Sequence, residues 1–88
     1  MSNILSCDLH DYLEIACLYQ YQVTLVLTTG EEYMGTPKTT IIKTVDGIKH
    51  EMLVVCCDGG EIKEIDLLTL KSMHVRTEHA KFTDVRFI

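Results

Sequence analysis

Apolar residues recur every three or four positions near the start of the chain and about every second position over most of the rest. The first pattern covers CDLHDYLEIAC, residues 7–17. It predicts an amphipathic helix at about residues 8–20. One stripe of this helix is expected to pack on the rest of the protein, and its residues are Leu9, Tyr12, Leu13 and Ala16.

The period-two patterns that follow predict β-strands. The first strand lies within residues 22–28. Residues 31–45 are predicted to be extended but interrupted at Pro37, because proline has no N–H to donate to a neighbouring strand. Asp46-Gly47 then predicts a tight hairpin turn. Residues 48–57 come next, and their second half is apolar on both faces, which is typical of a central strand.

The last third of the chain continues the same pattern of strands and turns. Asp58-Gly59-Gly60 predicts a second hairpin turn, and residues 61–67 alternate as a further strand. Residues 67–70 are too short for a helix and predict a single tight turn before a fifth strand at residues 72–77. Apolar residues within 82–87 predict an extra edge strand.

A helix placed before five hairpin-connected antiparallel strands favours a small barrel of the Sm-like or SH3-like kind. An OB fold inserts its helix between the third and fourth strands instead. We therefore expect a mainly β (α+β) protein. It would form a single Sm-like domain over residues 1–88, with a barrel at about 22–77 and a tail at 78–88.

Composition narrows the possible functions. The chain has 88 residues and a net charge of −5, from 8 Lys and Arg against 13 Asp and Glu. Direct nucleic-acid binding is not expected, since a basic surface supplies most of the affinity for phosphates. No apolar run is long enough to span a bilayer and no leader sequence is recognisable. We therefore expect a cytoplasmic protein that does not associate with membranes.

The reactive residue types do not form a recognisable active site. The four cysteines include no CxxC pair, and the histidines lack metal-ligand spacing. Cys56 and Cys57 are expected to be small apolar residues on opposite faces of a buried strand. No phosphate-binding loop or nucleophile elbow is present. We expect no catalytic residue, no metal and no cofactor.

The second stripe of the predicted helix is the best candidate for a binding site. It consists of residues spaced i, i+3, i+4 and i+7, namely Asp11, Glu14, Ile15 and Leu18. Asp8 lies in the first turn and His10 flanks the stripe. Helix capping and the helix dipole account for the acids alone, but not for the two aliphatics. An acidic patch bordered by aliphatics predicts a docking face for a basic partner, unless the tail covers Ile15 and Leu18.

The helix also resembles the opening of a known family, the bacterial Rho-binding antiterminators called Rof or YaeO. Its matching residues are Cys7-Asp8, Asp11 and residues 13–17. The likeness extends over most of residues 7–73. The further matching segments are residues 23–27, 30–31, 53–55, 60–61 and 70–73. Residues 33–50 form a segment slightly longer than in the family.

This resemblance implies an Sm-like fold and a role as a protein inhibitor of Rho, the hexameric RNA-dependent helicase that terminates transcription. The family binds the N-terminal, OB-fold-containing region of Rho, near its primary RNA site. The residues assigned to Rho binding are Asp8, His10, Asp11, Glu14, Ile15 and Leu18. They would compete with RNA for the basic residues of Rho, and the free protein is expected to be monomeric.

Two other classes of function remain open from the sequence. The first is an Sm-like RNA-binding module, against which the scattered basic residues Lys63, Lys71 and Arg76 count. The second is a small enzyme or metal protein that uses a histidine, Cys56 or Cys57. Thiol reactivity and elemental analysis would test that second class.

Overall fold

The computed structural model describes the backbone of residues 7–87 and the side chains of residues 9–87. Helix α1 spans Cys7–Leu18, so it starts and ends slightly earlier than predicted. No helix in the described part of the chain is long and apolar enough to cross a membrane. The strands that follow are β1 Val23–Leu27, β2 Glu32–Val45, β3 Ile48–Cys57, β4 Ile62–Asp66, β5 Leu70–Val75 and β6 Asp84–Arg86.

All six strands belong to one antiparallel sheet with the order β4-β3-β2-β1-β5-β6. The sheet is open, with β4 and β6 as its edges. Ile65 of β4 and Val85 of β6 nevertheless belong to the same buried cluster, so the sheet wraps around one core. The predicted mainly β, small barrel-like fold with an extra C-terminal strand is therefore confirmed.

The turns form where the sequence predicts them. Asp46 and Gly47 both have positive φ angles, 50° and 78°, as a two-residue turn between β2 and β3 requires. The tight turn before β5 is a 3₁₀ helix, Leu67–Thr69, which the Asp66 carboxylate caps by accepting a hydrogen bond from the Leu68 N–H.

The long β2–β3 hairpin has two parts with different surroundings. Near Pro37 its register shifts, in agreement with the predicted interruption. At its base, β1 pairs with β2 up to Gly35 and β4 pairs with β3 from Met52 onward. Residues 42–51 pair only with each other. We call this two-stranded part the arm.

The core contains fully buried side chains from the helix and from the inner face of the sheet. The helix supplies Leu13 and Ala16, and the sheet residues include Val23, Leu25, Leu53, Val55 and Met73. The prediction for the vicinal cysteines is wrong in one respect. Cys56 and Cys57 do face opposite sides of β3, but both side chains are only half-buried, because they lie near the end of the strand.

Candidate partner-binding site

Helix α1 packs on the sheet through a narrower stripe than its sequence pattern predicts. Leu13 and Ala16 are completely buried, and Leu9 packs partly against the core. The sequence pattern places Tyr12 in this stripe, but in the structure Tyr12 is 38% exposed. It lies at the margin because its ring packs edge-on against Phe82 of the C-terminal segment, with centroids 5.0 Å apart.

The opposite side of the helix presents most of the predicted binding residues to solvent. Asp11 and Glu14 are exposed, and Leu18 is 74% exposed. Ile15 differs from the prediction, since it is half-buried and packs partly against the core. Asp8 belongs to the helix, but its side chain lies outside the described residues. The solvent-exposed stripe therefore consists of Asp11, Glu14 and Leu18, with Ile15 at its border.

His10 links this stripe to the arm. Its Nε2 lies 2.8 Å from Oε2 of Glu51 on β3, and its Nδ1 lies 3.3 Å from Oε1 of Glu14. A neutral imidazole donates from one nitrogen only, so the uncharged ring satisfies one of the two carboxylates at a time. His10 and Glu51 are each more than three-quarters buried, at 21% and 23% side-chain exposure. This contact fixes the start of the helix against the arm.

The result is an acidic surface that extends beyond the helix, formed by Glu14 and Glu51, which contact His10, and by the exposed Asp11 of the same helix. We call it the acidic face. Sequence reasoning missed Glu51, which is 41 residues from His10 and carries no signal of its own. Two of the three carboxylates belong to a helix packed on the core and the third to a paired strand. The fold therefore fixes the backbone positions from which these three side chains extend.

The C-terminal segment packs beside the helix without covering Leu18. Phe82 contacts both Tyr12 and Tyr21 edge-on, and the backbone N–H of Lys81 donates to the Tyr21 hydroxyl at 3.0 Å. The aromatic rings of Tyr19 and Tyr21 are stacked 5.8 Å apart. The alternative in which the tail hides the aliphatic end of the stripe therefore fails for Leu18, which stays open to a partner.

Comparison with known proteins identifies the family. The sequence matches the family described as Modulator of Rho-dependent transcription termination (ROF) over residues 4–87. The chain belongs to the Rof family. A solved structure described as "YaeO bound to Magnesium from Vibrio cholerae O395" is similar, with a TM-score of 0.76 and 28% sequence identity. The match covers 89% of this chain and 96% of that one. A search of curated proteins finds no match.

Membership of the Rof family confirms the resemblance seen in the sequence. It also makes this chain a modulator of Rho-dependent termination, with Rho as the implied protein partner. The Rof family is a regulatory family and not a known family of enzymes.

Two of the thiols are less acidic than an ordinary cysteine. Burial raises the pKa of the Cys17 thiol to about 11, and the charge of Glu14 adds to the effect. Burial also raises the pKa of Cys57. A protonated thiol is a poor nucleophile and a poor metal ligand. Among the described residues, no group of three His, Cys, Asp or Glu is placed to hold a metal ion.

Proposed function

We propose that this Rof-family protein is an antiterminator that inhibits Rho by binding its N-terminal RNA-binding region. The acidic face would contact basic residues that otherwise hold RNA, so the protein would block RNA from the primary site. Since Rho acts on nascent transcripts, we place the protein in the cytoplasm. It would bind Rho directly and would not bind the nucleic acid.

The observation that carries this proposal is the contact of two carboxylates, Glu14 and Glu51, with His10, next to the exposed Asp11 of the same helical stripe. A surface that binds RNA must be basic, and a fixed acidic surface is complementary to it. Long-range attraction between such surfaces speeds association and weakens as salt screens the charges. The exposed Leu18 adds an apolar contact at the end of the acidic stripe.

The test is a competition experiment with purified Rho and a labelled cytosine-rich oligonucleotide, followed by fluorescence anisotropy at two salt concentrations. We expect the protein to displace the oligonucleotide, and to do so better at low salt. Absence of displacement would contradict competition at the primary site. Binding of the oligonucleotide by the protein itself would favour an RNA-binding module instead.

Charge-reversal variants separate the acidic face from overall charge. Asp11→Lys with Glu14→Lys changes the net charge from −5 to −1, since each reversal adds two charges. The control pair is Glu32→Lys with Glu61→Lys. It makes the same change in net charge, but in a cleft beside the β1–β2 and β3–β4 turns. We expect the first pair to weaken displacement at least tenfold and the second pair to have little effect. Equal effects of the two pairs would point to non-specific charge attraction.

A further inference from the structure

The arm extends past its neighbouring strands and exposes aliphatic side chains to solvent. Its two strands have no other strand beside them, and an isolated two-stranded hairpin has little stability of its own in water. It nevertheless exposes three aliphatic side chains, Ile42 at 65%, Val45 at 52% and Ile48 at 52%. The described contacts within the chain leave these side chains largely open to solvent.

Strand register assigns these aliphatics to two different faces. Ile42 lies directly opposite Glu51, so the two side chains are neighbours on one face of the arm. Glu51 in turn contacts His10, which places Ile42 beside the acidic face. Val45 and Ile48 lie opposite each other, on the other face of the arm.

The charges on the two faces also differ. On the face of Val45 and Ile48, Lys43 forms an ion pair with Glu64 of β4, and Nδ1 of His50 lies 2.9 Å from Oδ2 of Asp66. Each of these two acids has a partner of its own within the chain, whereas Glu14 and Glu51 share a single partner, His10. The face of Ile42 carries the carboxylate of Glu51, which His10 joins to Glu14 of the helix, and one cation, Lys49. The two carboxylates outnumber that cation. A basic partner is therefore complementary to the Ile42 face.

We propose that the Rho-binding surface continues from the acidic face onto the arm, with Ile42 as its second apolar contact. This inference rests on the proposed function and names the occupant of the Ile42 face as the basic RNA-site surface of Rho. Arg and Lys side chains carry aliphatic stems that pack on apolar groups while their charged ends reach carboxylates. Ile42 and Leu18 would border the carboxylates as such apolar contacts. A few residues of an interface often carry most of the binding energy, so a single truncation can have a measurable effect.

Matched alanine variants of the full-length chain test this inference. Ile42→Ala and Ile48→Ala remove the same side chain from the same arm, but from opposite faces. We expect Ile42→Ala to weaken binding to Rho about tenfold and Ile48→Ala to change it less than twofold, by titration of labelled protein with Rho. Thermal unfolding of both variants would show whether the two substitutions change the stability of the protein by the same amount. Equal affinities of the two variants would overturn the inference.

Photo-crosslinking supplies a readout that does not depend on removing a contact. A photoreactive amino acid at position 42 is expected to crosslink to Rho, and saturation of Rho with cytosine-rich RNA should abolish the product. The same group at position 48 should not crosslink. Crosslinking from 48 and not from 42 would overturn the inference.

The two proposals fail in different ways. If Asp11→Lys with Glu14→Lys abolishes binding while Ile42→Ala has no effect, only the arm inference is wrong. If the unaltered protein neither binds Rho nor displaces RNA, both are wrong.

Discussion

The β2–β3 hairpin joins two regions that have similar residues but opposite roles. At its base, β1 and β4 flank the two strands, and Leu53 and Val55 are completely buried. In the arm, the same two strands expose Ile42, Val45 and Ile48. The aliphatic side chains of the base stabilise the fold, whereas those of the arm remain available to a partner.

The difference lies in the neighbouring elements and not in the residue types. An isoleucine or leucine is buried only where another strand or helix covers it. The arm extends past the ends of β1 and β4, and only the His10–Glu51 contact joins it to the helix by side-chain hydrogen bonding in the described structure. Substitutions in the base should therefore affect stability, and those on the Ile42 face of the arm should affect binding.

The largest expected effect on stability is that of Leu53→Ala. Leu53 is completely buried against Ile65 and the rest of the core, so its truncation leaves a cavity. We expect a loss of about 2–5 kcal/mol in the free energy of unfolding. Ile42→Ala in the arm should cost about 1 kcal/mol or less. Chemical denaturation of both variants measures the contrast, and equal losses would contradict the distinction between base and arm.

Gly35→Ala should have the next largest effect on stability. A Cβ atom at Gly35 would lie 2.3 Å from the backbone oxygen of Cys56, so β2 and β3 would have to separate. We expect a loss of about 1–3 kcal/mol by chemical denaturation. Gly59→Ala is the matched control, because a Cβ there meets nothing within 4 Å. A similar loss in both variants would mean that the close approach at the base is unimportant.

The pH dependence of stability provides a third, smaller effect at the helix. The folded protein raises the pKa of Cys17 from 9.0 to about 11, so between these values the folded state keeps a proton that the unfolded state loses. Stability should therefore fall as pH rises from 9 to 11. Thermal unfolding across this range should show a shallower fall in Cys17→Ala. If stability falls equally with pH in the unaltered protein and in Cys17→Ala, the Cys17 thiol is not the group responsible.

The sequence predicts the regular parts of this structure well, because local patterns determine them. The helix, the Asp46-Gly47 turn and the C-terminal strand each depend on residues close together in the chain. The exposure of Ile15 and Tyr12 was not predicted correctly, because it depends on how the helix is rotated on the sheet. The half-burial of Cys56 and Cys57 likewise depends on where β3 ends.

The candidate site was predictable only in part, for a related reason. Asp11 and Glu14 share a helical stripe that can be read from their spacing. Glu51 joins them through a contact between residues 41 positions apart, which no local pattern encodes. The position of Ile42 beside Glu51 likewise follows from strand register and not from its own surroundings in the sequence.

The smallest expected effect, and the one that tests the extent of the Rho-binding surface, is a gain of affinity in Lys49→Glu. Lys49 is exposed and lies two residues from Glu51 on the same face of the arm, where its positive charge opposes a basic partner. Its replacement should tighten binding to Rho a few-fold at low salt and by less at high salt, because salt screens exposed charges. Lys43→Glu, on the opposite face, is the control and should not tighten binding. A gain confined to Lys49→Glu would extend the Rho-binding surface along the arm beyond Glu51, whereas no gain would end it at Glu51.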